Sequence, residues 1–292
     1  MDQDSPNVPE KKRPKIGLVV GSGGIKCNAA IPLFEFLDEA GIDVDLMVLC
    51  SGGSTLGAVW ALGASGEEIR KTALELWTRK LFAKIDYRTL LSIAGLPFGR
   101  FDKNSGMLKP DVMKNNYAKL YGDTKIEDLK KRAIFLAADL LTGDPVALEK
   151  GLLRDVVYAS SALYPILPPQ EIDGQWLIDG AFSAPLPILE AVVEGMDIII
   201  AMSFEERSQQ DVRGFLNTFM RVLSYSQNWL QKSQSAVALN LHHNEIISVN
   251  VQFDKYIGLR SVHKVPEVIA KGEETVAEYK DTILAAIDNF QR

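Results

Sequence analysis

The stretch that decides the fold is residues 15–24, KIGLVVGSGG, in which the short apolar run Ile16–Val20 ends in a glycine loop. A run of this length predicts a strand buried on both faces, and the glycines predict a tight turn at its end. The pattern returns at residues 45–53, DLMVLCSGG, where Asp45–Leu49 is the predicted strand, and a helical pattern follows near Ser54–Leu62. Two buried strands that each lead through a glycine turn into a helix are typical of a parallel α/β sheet.

Outward from these two stretches, the chain continues to alternate between strand and helix. Further helical patterns cover Ala29–Ala40, Glu67–Leu81, Leu153–Ser161, Val212–Leu241 and Val265–Phe290. Further strand patterns cover Ala133–Ala138, Val146–Leu148, Trp176–Ile178, Ile198–Met202 and Glu245–Val251. With no internal repeat and no linker, this order predicts one α/β domain over residues 15–292. We expect the polar, proline-bearing tail at residues 1–14 to be disordered.

Composition limits the class of protein. The chain has 292 residues, 47% of them apolar, and a net charge of −6. The apolar content excludes a disordered chain, and the acidic balance disfavours nucleic-acid binding. Two cysteines, Cys27 and Cys50, are too few for a disulfide framework and indicate a reducing compartment, so we expect a cytoplasmic protein.

Three further signals are missing from the sequence. No apolar run reaches the ~18–20 residues that span a bilayer. The N-terminus lacks the apolar segment of a secretory signal. No metal-binding spacing of His, Cys, Asp or Glu occurs, so we expect neither a metal nor another cofactor.

Ser51 lies between the second apolar run and a helix, which is the setting of a nucleophile elbow. In such an elbow a strained turn projects the hydroxyl from the sheet, and small neighbours such as Gly53 let the chain bend. Leu49 departs from the usual pattern, which has glycine two residues before the nucleophile. A turn or N-cap serine also fits the local sequence.

The glycine loop 21–24 offers backbone N–H groups that can bind a phosphate or line an oxyanion hole. It matches neither the Walker loop nor the dinucleotide-binding pattern, because Lys26 stands where the latter has its third glycine. An ordinary tight turn is the alternative. Lys26 would hold the loop, face an anionic substrate or lie in solvent.

Asp179 follows the predicted strand Trp176–Ile178. A carboxylate at the carboxyl end of a strand lies at the edge where parallel α/β sheets place their sites. Burial there would raise its pKa and make it a better base. A turn aspartate is the alternative.

The three histidines bear on whether a serine nucleophile would act in a Ser-His-Asp triad or in a Ser-Asp dyad. A Ser-His-Asp triad would need His242, His243 or His263, and none of them has a distinctive context. We therefore favour a Ser51–Asp179 dyad, with an esterase that uses His263 as the alternative.

Four blocks in chain order resemble the patatin-like phospholipase family. They are residues 17–26 (GLVVGSGGIK), 45–58 (DLMVLCSGGSTLGA), 159–165 (ASSALYP) and 179–181 (DGA). In that family the first block is the oxyanion loop, the second is the nucleophile elbow, and the last two lead to and carry the catalytic aspartate. The resemblance extends over about residues 15–291.

The resemblance implies a three-layer α/β/α sandwich with a mainly parallel central sheet. It implies Ca²⁺-independent hydrolysis of a phospholipid, lysophospholipid or other acyl-ester lipid, through an acyl-enzyme on Ser51 with Asp179 as the base. Gly23 and Gly24 would supply the oxyanion-hole N–H groups, and Gly21 and Ser22 would shape its mouth. Lys26 and Gly53 are the further positions expected to contact substrate.

Two alternatives to hydrolysis stay open. Leu49 could distort the elbow or narrow the pocket, which would leave a catalytically weak or silent lipid-binding or scaffold protein on the same fold. An acyltransferase is the other, because an alcohol can intercept the acyl-enzyme.

Apolar and aromatic residues concentrate in residues 85–107, which resemble a flap, and in 212–241. They could line an acyl pocket, touch a membrane surface or pack in the core. We expect only transient contact with a membrane, because the net charge of −6 disfavours strong docking to anionic lipid. The oligomeric state is left open.

Overall fold

The computed structural model describes residues 13–207, 213–243, 245–258 and 261–290. Most of the tail that we expected to be disordered therefore lies outside the described residues. Its last residues are held in place, because the Arg13 guanidinium pairs with the Asp45 carboxylate at 2.7 Å. Val212, where we expected the long helix to begin, also lies outside the described residues.

One eight-stranded sheet runs through the described residues. Its strands are β1 Ile16–Val20, β2 Leu46–Cys50, β3 Ala133–Asp139, β4 Pro145–Leu148, β5 Gln170–Ile172, β6 Gln175–Asp179, β7 Ile198–Glu206 and β8 Glu245–Phe253. Across the sheet the order is β5-β6-β3-β2-β1-β7-β8, and β4 also pairs with β3. Neighbouring strands are parallel along β3-β2-β1-β7-β8. β4 and β6 each pair antiparallel with β3, and β5 pairs antiparallel with β6.

The helices cover both faces of this sheet. They are α1 Ile31–Glu39, α2 Gly52–Ala61, α3 Gly66–Leu76, α4 Tyr87–Ile93, α5 Asp111–Tyr121, α6 Leu153–Ser160, α7 Ile188–Val193, α8 Phe215–Leu241 and α9 Val265–Phe290. Alternate residues of the central strands enter two different cores, as period-2 geometry requires. In β1, Leu18 and Val20 face the core shared with α1, α2 and α9, whereas Val19 faces the core shared with α7 and the end of α8. The three-layer α/β/α sandwich with a mainly parallel sheet is thus confirmed.

The differences from prediction lie at element ends, in short elements and in α5. α1 begins at Ile31 rather than Ala29 because Pro32 occupies its first turn, after a 3₁₀ segment Gly24–Ala30. β5 and α7 were not predicted because they are too short to show a period. α5 was missed because its apolar face is only a narrow stripe in a polar sequence, formed by Met113, Tyr117 and Tyr121.

The flap, residues 85–107, contains α4 and then an irregular return. Its base is closed by a hydrogen bond from Asp86 N–H to the Met107 carbonyl at 2.9 Å. Met107 N–H donates in turn to the Pro165 carbonyl at 2.8 Å. The flap is therefore anchored beside the segment that leads to Asp179.

Candidate active site

Ser51 forms the sharp turn between β2 and α2. Its backbone has φ 55° and ψ −123°, a region that non-glycine residues occupy at a cost of about 1–3 kcal/mol and only under constraint. Two serines at the end of α6 supply the constraint. Ser51 N–H donates to Ser160 Oγ at 3.1 Å. The Ser161 hydroxyl is shared between the Val157 carbonyl, at 2.8 Å, and the Ser51 carbonyl, at 3.1 Å. The turn thus has the strained form of a nucleophile elbow.

Ser160 is the centre of a buried hydrogen-bond network behind this elbow. Its hydroxyl donates to the Leu136 carbonyl in β3 at 2.6 Å, so its lone pairs accept from Ser51 N–H and from Ser54 Oγ, the latter at 2.7 Å. Ser160 is fully buried, where an unpaired polar group is costly. The network fixes the turn to the neighbouring strand, a role that we did not predict for this serine.

Asp179 is only 2% exposed and accepts two hydrogen bonds. Ser51 Oγ donates to Oδ2 at 2.6 Å, and Ala181 N–H donates to Oδ1 at 2.9 Å. Burial raises the pKa of the Asp179 carboxyl from 3.8 to about 6, although both hydrogen bonds act in the opposite direction. Ser51 and Asp179 line a cavity of about 130 Å³, called the Ser51 cavity below.

Asp179 reaches the elbow on an antiparallel strand. It lies at the carboxyl end of β6, as predicted, and β6 runs antiparallel to β3. The register pairs Asp179 with Ala137, whose neighbour Leu136 pairs with Cys50 at the end of β2. β6 therefore ends level with the elbow. Gly180 lets the chain pass close to β3 there, since a Cβ would collide with the Leu136 carbonyl oxygen.

The glycine loop after β1 provides unpaired backbone donors. Gly21 and Ser22 already donate their N–H groups to backbone carbonyls, at 3.0 and 2.7 Å, and so hold the loop in place. The N–H groups of Gly23 and Gly24 have no acceptor among the described residues. Both of these glycines line the Ser51 cavity, so their N–H groups are the two donors of the loop that a bound oxyanion could use.

Two glycines at the start of α2 let the elbow close onto this loop. A Cβ on Gly53 would lie 2.7 Å from the Gly21 carbonyl oxygen, and one on Gly52 would lie 2.5 Å from that of Gly24. Gly52 lines the Ser51 cavity, and its N–H belongs to the first helical turn, so it is a further free donor that we did not predict. Gly53 does not line the cavity; it contacts the loop backbone where we expected it to contact substrate.

Leu49 leaves the elbow and the cavity undisturbed. Its side chain is fully buried and contacts Gly57 in α2, where a Cβ would lie 2.6 Å from Leu49 Cδ2. Leu49 does not line the Ser51 cavity. Gly57 therefore makes the room that this bulky residue needs, and the distortion or narrowing on which the alternative of a silent protein depended is not found.

Lys26 is a buried cation in the wall of the Ser51 cavity, 8% exposed. Its ammonium has no hydrogen-bond or ion-pair partner among the described residues. Burial lowers its pKa, whereas the charge of Glu206 raises it. Glu206 is itself paired with Arg221 of α8 at 3.2 Å, and both line the cavity. Apart from Asp179, the cavity wall thus carries two cations and one carboxylate.

The histidines lie away from this cavity, and none of the three lines it. His263 is exposed in a 3₁₀ turn before α9, while His242 is half-buried and His243 exposed beyond the end of α8. Ser51 Oγ contacts Asp179 directly, with no imidazole between them. The structure therefore brings together the serine and the aspartate of the predicted dyad, and no histidine.

Within the described ranges, no group of three or more His, Cys, Asp or Glu side chains is placed to hold a metal ion. The helices of the same ranges are all too short or too polar to cross a membrane.

Comparison with known proteins identifies the family of this chain. The patatin-like phospholipase family model matches residues 18–192, more than half of the chain. The chain therefore belongs to the patatin-like phospholipase family, and the resemblance stated above is confirmed.

Individual relatives match over part of their length. An uncharacterised NTE family protein of Mycobacterium tuberculosis is 29% identical over 190 residues, which are 65% of this chain and 49% of that protein. Lysophospholipase nte1 of Aspergillus oryzae is 26% identical over 219 residues, 72% of this chain and 13% of that protein. The chain thus spans about half the length of the mycobacterial relative and a small part of the fungal one.

Among solved structures, human GIVD cytosolic phospholipase A2 in complex with methyl gamma-linolenyl fluorophosphonate has a TM-score of 0.52. The match covers all of this chain and 60% of that chain at 11% identity. At this identity the likeness concerns the fold alone.

Proposed function

We propose that the protein hydrolyses acyl esters of lipids, with Ser51 as the nucleophile and Asp179 as the base. The observation that carries the proposal is the 2.6 Å hydrogen bond from Ser51 Oγ to the buried Asp179 carboxylate. The unpaired N–H groups of Gly23 and Gly24 beside it add support, as does membership of the patatin-like phospholipase family.

In the proposed reaction, Ser51 Oγ attacks the ester carbonyl carbon while its proton passes to Asp179. The glycine N–H groups and the N-terminus of α2 stabilise the oxyanion that forms. The alcohol leaves with the proton, and the acyl group stays on Ser51. Asp179 then accepts a proton from the water that attacks the acyl-enzyme, and returns that proton to Ser51 Oγ as the fatty acid leaves. Each step uses groups of this chain, so we expect the rate to persist in EDTA.

Three variants test this assignment with p-nitrophenyl butyrate and lysophosphatidylcholine as substrates. Ser51→Ala and Asp179→Asn should each lower kcat/KM by about 10³-fold or more. A variant in which His242, His243 and His263 are all glutamine should keep most of the rate. Wild-type turnover by Ser51→Ala would refute the nucleophile, and an inactive histidine-free variant would favour the triad alternative. Lipid binding by the wild type without hydrolysis would favour the silent binding protein.

We also propose that Lys26 recognises an anionic group of the substrate, such as the phosphate of a lysophospholipid. A buried ammonium without a partner is costly, and a phosphate in the Ser51 cavity would supply the missing charge. A hydrogen bond to a charged group contributes about 1.5–3 kcal/mol. Lys26→Met should therefore lower the selectivity for lysophosphatidic acid over monoacylglycerol at least tenfold, as measured by kcat/KM.

The matched control is Lys71→Met, which removes an exposed lysine of α3. Its selectivity should equal that of the wild type. If Lys26→Met had the same selectivity as the wild type, the cavity would not recognise the charge of the lipid.

Transient contact with a membrane is the third element of the proposal. α8 carries an exposed apolar stripe with helical spacing, formed by Phe215, Val222, Tyr225 and Trp229. Tyr225 also lines the Ser51 cavity, so the stripe borders its mouth. Residues 213–243 contain no Asp or Glu, and besides Arg221, which pairs with Glu206, they contain Arg213 and Lys232. This face is therefore basic although the chain as a whole is acidic. A basic face with an apolar stripe can bind the surface of an anionic bilayer.

Co-sedimentation with vesicles tests this contact. Phosphatidylcholine vesicles with added phosphatidylglycerol should bind more protein than pure phosphatidylcholine vesicles, and Trp229→Ala should weaken binding several-fold. Leu141→Ala, which changes a residue that is 82% exposed on another part of the surface, is the control. Equal loss in both variants, or none in either, would contradict a membrane contact through α8.

A further inference from the structure

The wall of the Ser51 cavity contains a side-chain donor that no group of the described chain satisfies. Six buried side-chain polar atoms have no hydrogen-bond partner among the described residues. One of them, the indole nitrogen of Trp77, belongs to a residue of this wall, and the other five do not. Trp77 is only 7% exposed, and a buried N–H group without an acceptor is costly. Because a buried indole N–H usually has a partner, its acceptor here is best sought in a bound molecule.

Trp77 directly follows α3, which fixes its position. At the start of α3, the Ser65 hydroxyl accepts from Glu68 N–H, and the Glu68 carboxylate accepts from Ser65 N–H at 2.8 Å. In the middle of α3, the Arg70 guanidinium pairs with the Glu35 carboxylate at 2.6 Å. A helix held at two points places the indole precisely, as a donor that positions a substrate requires.

Polar groups of the same wall do not take up this donor. The Thr55 and Tyr117 hydroxyls pair with each other at 2.9 Å. The Ser51 hydroxyl and the Asp179 carboxylate are likewise bonded to each other. None of these four groups accepts a hydrogen bond from Trp77 Nε1. The donor is therefore left for a molecule in the cavity.

The chemistry of the indole selects the acceptor. An indole N–H can only donate and carries no charge, so it suits a neutral oxygen. In the function proposed above, the backbone donors of the glycine loop stabilise the oxyanion, and Lys26 binds an anionic group. In a monoester of glycerol, the acceptor that remains is a free hydroxyl of the glycerol.

We infer that Trp77 Nε1–H donates to a free hydroxyl of a glycerol ester in the Ser51 cavity, so that the protein prefers esters of glycerol to esters of simple alcohols. This inference rests on the proposed hydrolase function. A site that hydrogen-bonds a substrate hydroxyl discriminates against the analogue that lacks it, because its own donor is then left unpaired. Trp77 is thus a specificity residue for the alcohol part of the substrate.

Hydrolysis of 1-butyrylglycerol and propyl butyrate is the first readout. These esters share the acyl group and the ester oxygens and differ in the two hydroxyls. Trp77→Phe keeps an aromatic ring and removes the N–H. It should lower the ratio of kcat/KM for 1-butyrylglycerol to that for propyl butyrate about fivefold, the effect of one neutral hydrogen bond. An unchanged ratio would overturn the inference.

Trp60→Phe is the matched control. Trp60 is 1% exposed and lies outside the cavity wall, and its indole N–H donates to the Asp38 carboxylate at 2.7 Å. The same substitution there removes a buried N–H that the protein itself satisfies. The ratio of the two esters should equal that of the wild type. An equal fall in the Trp60 and Trp77 variants would show a structural effect and refute the inference.

NMR of the wild-type protein with isotope-labelled indole nitrogens is the second readout. The four tryptophans of the chain give four indole N–H signals, and the signal of Trp77 is the one missing from Trp77→Phe. If that variant does not fold, phenylalanine variants of Trp60, Trp176 and Trp229 assign it by elimination. The ether 1-O-butylglycerol, which has no ester to hydrolyse, should move the Trp77 signal downfield and leave that of Trp60 in place. Butyl propyl ether, which lacks the hydroxyls, should not move it.

The two readouts separate this inference from the proposed function. Ester hydrolysis with an unchanged ratio in Trp77→Phe, and no shift of the Trp77 signal, would refute the hydroxyl site and leave the hydrolase standing. Such a result would mean that the indole N–H meets only water. A downfield shift that needs the hydroxyls, in a protein that hydrolyses no ester, would support the hydroxyl site and refute the hydrolase.

Discussion

The basicity of Asp179 leads to a quantitative prediction about pH. Burial raises the pKa of this carboxyl to about 6, well above its ordinary 3.8. Only the carboxylate form can accept the Ser51 proton, so acylation should slow as the pH falls through this value. The quantity to follow is kcat/KM, because it reports the protonation state of the free enzyme.

The size of the effect follows from the fraction of enzyme in the carboxylate form. With a pKa of about 6, that fraction is about 97% at pH 7.5 and about 9% at pH 5. We therefore expect kcat/KM to be about tenfold lower at pH 5. A carboxyl with the ordinary pKa of 3.8 would still be about 94% ionised at pH 5, and the rate constant would hardly change.

The assay is hydrolysis of p-nitrophenyl butyrate from pH 4.5 to 8, followed at the isosbestic wavelength of p-nitrophenol. Circular dichroism at each pH establishes that the protein stays folded. A histidine base would give a similar curve, since its ordinary pKa is about 6.5. The profile is therefore repeated with the variant that lacks all three histidines, which should keep the same midpoint. A flat profile between pH 5 and 7.5, or a midpoint that disappears with the histidines, would refute Asp179 as the base.

Three further predictions concern the elbow. Ser160→Ala leaves three buried hydrogen-bond partners unpaired, at about 1–3 kcal/mol each. The free energy of unfolding measured in urea should therefore fall by several kcal/mol. An unchanged urea midpoint would show that Ser160 does not fix the turn at Ser51. Ser51→Gly should have a Tm about 2 °C above that of Ser51→Ala, because glycine tolerates the backbone at φ 55°; equal Tm values would mean that the turn stores no strain. Gly53→Ala should lower both kcat/KM and Tm, since its Cβ would lie 2.7 Å from two carbonyl oxygens; retention of full activity would contradict the close approach of the two loops.

The central strands were predictable because a strand buried on both faces leaves an uninterrupted apolar run. β1 matches the predicted Ile16–Val20, and β2 is displaced by one residue from the predicted Asp45–Leu49. The start of α2 was harder to predict, because Gly52 and Gly53 disfavour a helix by propensity. They begin this helix because only glycine fits against the neighbouring loop.

The site residues were easier to find than their arrangement. Ser51 and Asp179 are 128 positions apart, and the direction of β6 decides how they meet. A signal for that direction was present: Asp173 and Gly174, with φ 51° and 82°, form the two-residue turn between β5 and β6, a pair typical of tight hairpins. No sequence pattern indicates that Gly57 makes space for Leu49, because this contact depends on how α2 packs against β2.

The most direct test of the central claim is to locate the reactive nucleophile by mass spectrometry. The protein is treated with an alkyl fluorophosphonate, digested, and its peptides are sequenced. We predict a single adduct on Ser51, formed at least 100-fold more slowly when Asp179 is replaced by asparagine. An adduct on another residue, or none in a preparation that hydrolyses esters, would contradict Ser51 as the nucleophile.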